Sequence, residues 1–150
     1  MYRIALVFFL IGCDTNSDLK YNEASSEQEN TDELPGVLDV SHTQMEFEVE
    51  DFETTINDTL TVSSIGENPL EISRIDITNS GEGIFYIEET QYVNLSLDPE
   101  STVDVLVIVS GLQQEPTEAI WGELRIRSND EETSDLRIPL CAYPTGGSCE

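Results

Sequence analysis

From Met45 to Leu140, apolar residues return at every second position in short runs, and no stretch sustains a 3.6-residue helical period. A period of two buries one face of a strand and leaves the other in water. Met45, Phe47 and Val49 alternate with Glu46, Glu48 and Glu50. Leu60, Val62 and Ser64 line one face of the next strand, which ends at the turn Gly66-Glu67-Asn68-Pro69. Leu70 and Ile72 are in phase, whereas Ile75 and Ile77 have the opposite parity, so a bulge or strand switch near Ser73–Arg74 is predicted. Ile84 to Ile87 and then Val93, Leu95 and Leu97 read as short strands before the turn Asp98-Pro99-Glu100-Ser101. Thr102 to Ser110, TVDVLVIVS, is the strongest strand signal. Val103, Val105, Val107 and Val109 share one face and Leu106 and Ile108 the other, which predicts a central strand. Residues 119–128 and 134–140 form a last hairpin around Ser128-Asn129-Asp130-Glu131, and Pro139 marks its second strand as an edge. The expected fold is all-β: an antiparallel sandwich of about seven to nine strands over residues 37–143, with 144–150 as a C-terminal tail.

The first residues have another character. MYRIALVFFLIGC has a short positive start at Arg3 and an uncharged, mostly apolar run from Ile4 to Gly12. A helix that crosses a bilayer needs about twenty apolar residues, so the run fits a secretory signal instead. Its end, Leu10-Ile11-Gly12-Cys13, resembles the processing box of bacterial lipoproteins. Small residues before the cut suit the peptidase, and the thiol after it carries the lipid. The resemblance implies a signal peptide at 1–12 and two or three acyl chains at Cys13, enough for lasting attachment to a membrane of the bacterial envelope. Asp14 leaves open which membrane. Residues 14–36 hold seven acids, one lysine and many Asn, Ser, Thr and Gln, and they end in Pro35-Gly36. They cannot bury enough apolar surface to offset the entropy of ordering, and they read, with Cys13, as a disordered acidic tether at 13–36. A coil of this length spans roughly 25 Å.

Charge narrows the function classes. The chain carries 31 acidic and 6 basic residues, a formal net charge of −25. Nucleic acid would be repelled. His42 is the single histidine, which removes histidine-rich metal centres and most acid–base catalysis. Asp39, Ser41 and His42 superficially make a triad set, but neighbours on one segment do not supply that geometry, and no nucleophile elbow exists. Phosphate loop, dinucleotide fingerprint and zinc-protease helix are absent from the sequence. The reading is a protein without catalysis, cofactor or metal.

The ordered motifs are similar to the bacterial choice-of-anchor D and ASH/HYDIN-type immunoglobulin-like domains. Phe47 sits in an opening "ldF" strand, Thr61-Val62-Ser63-Ser64-Ile65-Gly66 stands for "tvtNtG", and Pro69-Leu70-Glu71-Ile72 for "apLtI". Phe85-Tyr86-Ile87 matches "F-x-I", and Leu97-Asp98-Pro99-Glu100-Ser101 matches "l-x-PGes". Leu124 to Asp130 matches "L-x-I-x-SND", and Ile138-Pro139-Leu140 the closing "vpL". Ser64 replaces the asparagine, Glu100 the glycine, and Cys141 a second glycine. The resemblance implies an immunoglobulin-like module that makes structural or adhesive contacts with an envelope protein or surface polymer. The other reading is an accessory subunit that binds its partner by edge-strand augmentation.

Four further features bear on function. Cys141 and Cys149 bracket a loop with Pro144 and Gly146-Gly147, which favours a disulfide in an exported chain over a buried free Cys141 with a dangling Cys149. Arg125, Arg127 and Arg137 alternate with apolar residues and share an outer face. They form either a docking stripe for carboxylate or phosphate, or cross-strand partners of Glu123, Asp135 and other nearby acids, the second being favoured. The acidic turn from Asn129 to Glu132 with Asp135 matches no EF-hand spacing and reads as solvated. Trp121 reads as core or half-core packing, with an exposed sugar- or partner-binding tryptophan as the alternative.

Overall fold

The computed structural model describes residues 35–88 and 91–150. The expected signal peptide, Cys13 and the expected tether up to residue 34 lie outside them. Nine strands form two packed sheets: β1 (Leu38–Val40), β2 (Met45–Val49), β3 (Ile56–Ser64), β4 (Leu70–Asn79), β5 (Phe85–Tyr86), β6 (Val93–Leu97), β7 (Thr102–Val109), β8 (Ile120–Ser128) and β9 (Asp135–Pro144). One sheet has the order β1-β3-β7-β5, the other β2-β9-β8-β4-β6. The fold is the expected all-β, immunoglobulin-like sandwich.

The inward residues are those of the period-two runs. Phe47, Leu60, Val62, Val105, Val107, Leu124, Ile126 and Ile138 are buried between the sheets. Each such side chain contributes roughly 1.5–3 kcal/mol of hydrophobic free energy. Phe47 and Phe85 meet across the core with ring centroids 6.0 Å apart. The parity change in β4 is a bulge: its pairing with β8 slips between Ile72 and Arg74, which lets Ile72 and Ile75 both face inward.

Three features depart from the sequence reading. Pro139 does not mark an edge, because β9 lies between β8 and β2. Ser128 N–H donates to Ser134 O, so by alternation Glu123 and Pro139 form a non-bonded pair and the proline nitrogen points away from β8. On that flank β2 begins only at the register of Leu140, so the missing N–H costs no ladder bond. Second, β7 is interior as expected, between β3 and β5, but its second apolar face is the outer side of the two-layer sandwich, where Leu106 is 43% exposed. Third, β2 runs parallel to β9, whereas all other pairs are antiparallel. The first described segment pairs with β3 as β1, then crosses to the other sheet. Ser41 fixes the crossing: its N–H donates to Thr61 O, and its Oγ accepts the Thr61 N–H, both at 3.0 Å.

The positions that depart from the resembled motifs carry local costs. Ser64 is fully buried and its Oγ has no partner. Glu100 adopts φ 65°, the left-handed conformation that glycine takes without a Cβ penalty. Its N–H donates to Ser64 O, so the turn keeps its bonding and the glutamate bears the strain. Glu100→Gly is expected to stabilise the domain by about 1 kcal/mol, read from the midpoint of urea unfolding. No gain, or a loss, would show that the glutamate is unstrained there.

Candidate interaction surfaces

The turn between β8 and β9 is a clasp. Asp130 is 5% exposed, and its carboxylate accepts N–H groups from Leu38 at 2.6 Å, Glu132 at 2.8 Å and Thr133 at 2.9 Å. Burial on its own would raise the Asp130 carboxyl, but the bonds from Leu38, Thr133 and Glu132 outweigh it and hold the group below its ordinary value. Asn129 ties the same turn to the start of β4: its Oδ1 accepts Glu71 N–H, its Nδ2 donates to Pro69 O, and its own N–H donates to Glu71 O. Ser128-Asn129-Asp130 thus joins β1, β4 and the last hairpin. Among the described residues, no three His, Cys, Asp or Glu side chains converge as a metal cage.

Arg125, Arg127 and Arg137 lie on the outer face of the five-stranded sheet, with Arg125 directly opposite Arg137. Each meets an acid of the same sheet. Arg125 holds Asp135 in a bidentate pair at 2.5 and 2.6 Å, Arg137 reaches Glu123 at 3.0 Å, and Arg127 reaches Asp76 at 3.2 Å. The hydrogen bond from Arg125 also holds the Asp135 carboxyl below its ordinary value. This is the arrangement of cross-strand neutralisation. Arg74 is paired with Asp76 as well, at 3.6 Å. His42 is exposed and shares a 2.8 Å hydrogen bond with the Ser41 hydroxyl.

Cys141 and Cys149 are joined, with their Cα atoms 6.1 Å apart. Cys141 is fully buried although its parity on β9 is outward. The bridge closes a short loop, and a constraint of this size is worth about 2 kcal/mol in the chain-entropy model.

Directly opposite Cys141 on β8 stands Trp121, 42% exposed. It is therefore not core packing. Its parity puts it on the outer face beside Gly122, whose inward Cα lies against the Phe85 ring. Trp121 forms part of an open groove of about 570 Å3 at one end of the sandwich. The β4–β5 turn supplies Glu82, and the β7–β8 loop supplies Gln113, Gln114 and Glu118. Glu82 is held at φ 61° between Gly81 at 54° and Gly83 at 88°. The groove was not legible in the sequence. Its loop residues carry no motif, and only the packing of the two sheets brings residues 80–84 and 110–120 together.

No family model and no curated protein matches the chain. Among solved structures it is similar to the periplasmic chaperone SfaE, with a TM-score of 0.56 and 13% identity over 76% of this chain and 61% of that one. The E. coli chaperone DraB follows at 0.54 and 13%, over 74% of this chain and 57% of that one. The ASH/PapD-like domain of human CEP192 gives 0.51 and 9%, over 71% and 84%. The chain thus spans about three-fifths of the length of these chaperones. At such identities the likeness is one of fold: this chain has the PapD-like, ASH-type form of the immunoglobulin sandwich.

Proposed function

We propose that the chain is a lipoprotein of a bacterial cell envelope, anchored through Cys13, whose immunoglobulin-like domain makes non-catalytic contacts with another envelope protein or a surface polymer. The observation that carries it is the sequence Leu10-Ile11-Gly12-Cys13 after an apolar run, followed by a polar acidic spacer and then the sandwich. SfaE and DraB lend support, since a sandwich of this form serves in chaperones, one of them periplasmic. The domain resembles choice-of-anchor D domains in its motif order.

Mass spectrometry of the mature protein tests the anchor. The expected N-terminal fragment begins at Cys13 with diacylglycerol and acyl mass on it. Cys13→Ala is expected to lose that mass and to leave the membrane fraction. An intact Met1, or an unmodified Cys13 in the membrane fraction, would overturn the reading. Cross-linking in whole cells tests the contact: a protein or polymer adduct through the sandwich is expected, and its absence counts against the module.

A second reading, an accessory subunit bound by strand addition, has one edge in its favour. β6 borders its sheet and has no charged side chain from Val93 to Leu97, with Val93 exposed. The opposite edge, β2, presents Glu46 and Glu48, which discourage pairing. A single stoichiometric cross-linked partner would favour this reading.

A further inference from the structure

We propose that the groove beside Trp121 receives a basic segment of a protein partner, with a Lys or Arg side chain on the indole and Glu82 and Glu118 as counter-charges. The inference rests on the protein-contact reading above and names the partner's chemistry.

Three observations carry it. The groove is lined by one exposed aromatic side chain, and an indole attracts a cation held over its face. Its ionisable lining residues are both carboxylates, and it contains no Lys, Arg or His. No arginine of the described residues is left to compete, since Arg74, Arg125, Arg127 and Arg137 are all paired with acids on the outer face of one sheet. A formal net charge of −25 also favours approach of a basic partner over an acidic one. The volume, about 570 Å3, suits a few side chains of an extended segment and not a folded domain.

Glu82 adds a fourth. A glutamate at φ 61° between two glycines is strained, and a third glycine would relieve the strain. The left-handed turn is closed without it, because Ser80 O accepts the N–H groups of Gly83, Ile84 and Phe85. The side chain at position 82 is therefore not needed by the turn, and what it places at the groove is a carboxylate.

The test uses the full-length chain in detergent at about 0.15 M salt, read through its single tryptophan. The probes are the peptide Gly-Lys-Gly-Lys-Gly, the same peptide with both lysines acetylated, and a neutral trisaccharide. A saturable change in Trp121 emission is expected with the lysine peptide alone. The double variant Glu82→Gln, Glu118→Gln is expected to weaken binding roughly tenfold, the size of two exposed ion pairs. Glu131→Gln with Glu132→Gln removes the same charge from a turn outside the groove lining and is expected to weaken it less than about twofold. Glu82→Gly is expected to weaken binding while it raises resistance to urea. Equal losses in both double variants would reduce the effect to overall charge and overturn the proposal. Saturation by the trisaccharide or the acetylated peptide, or no emission change, would overturn it too. Cross-linking in cells judges the protein-contact reading separately, so the two failures are distinguishable.

Discussion

Asp130→Ala is expected to lower the stability of the domain by about 3 kcal/mol. The substitution removes the acceptor of three backbone N–H groups. The Glu132 and Thr133 donors sit in a turn that water reaches. Leu38 N–H is the costly one, because it lies at the buried start of β1 and points away from β3: the bonds from Ser41 N–H to Thr61 O and from Ile65 N–H to Val37 O make Leu38 and Ser64 a non-bonded pair. Losing it releases a three-residue edge strand whose remaining hold is its ladder with β3 and the bond from Ile65 N–H to Val37 O. The effect has a pH signature. The folded state holds the carboxyl below its unfolded value, so the ionised group contributes its full stability above about pH 4. That contribution is lost as the pH falls from there through the folded value. Urea unfolding of wild type and Asp130→Ala is expected to show a large gap at pH 7 that narrows in acid. Asp130→Asn, which keeps an acceptor and loses the charge, is expected to fall between them. A gap under about 0.5 kcal/mol at pH 7, the size of an ordinary surface substitution, would mean that the clasp is incidental.

Gly122→Ala is expected to cost about 2–3 kcal/mol, although it adds one methyl group. A Cβ on Gly122 would sit 2.5 Å from Cδ2 of Phe85 and 2.9 Å from the carbonyl oxygen of Asn79. The ring is 1% exposed, and the same Cδ2–Cε2 edge also lies against Gly81, where a Cβ would be 2.6 Å from it. That edge of the phenyl group is thus packed against two glycines, and the buried ring cannot move aside without disturbing its neighbours, Phe47 among them. The strain is specific to ring size. Phe85→Leu in the Gly122→Ala background is expected to cost less than the sum of the two single changes, a coupling that thermal unfolding of the four proteins measures. Strict additivity would show that the methyl meets the backbone of Asn79 and not the ring.

Much of the architecture was legible because burial writes itself into a sequence with period two. Met45, Phe47 and Val49 on one strand, Leu60, Val62 and Ser64 on the next, and the parity slip between Ile72 and Ile75 are local signals, and each lies in the structure as the alternation implies. The misreadings concern neighbours. Pro139 suggested an edge because a proline lacks one donor, yet whether that donor is missed depends on where β2 begins beside β9, a distance of some ninety residues in sequence. Thr102–Ser110 is apolar on both faces and interior as expected, yet one of those faces is the outer side of the sandwich and leaves Leu106 in solvent. Trp121 reads as packing by its type, but the register of β8 turns it outward.

By itself, then, the sequence determined the class of fold, the inward and outward residues and the acidity of the surface, because these follow from side-chain type and local periodicity. Tertiary structure alone decided the parallel union of β2 with β9, the clasp of Asp130 on Leu38 and the groove in which Glu82, Glu118 and Trp121 meet. Each of these joins segments far apart in the chain, and such pairings are selected by the free energy of the whole packed sandwich, which no local pattern encodes.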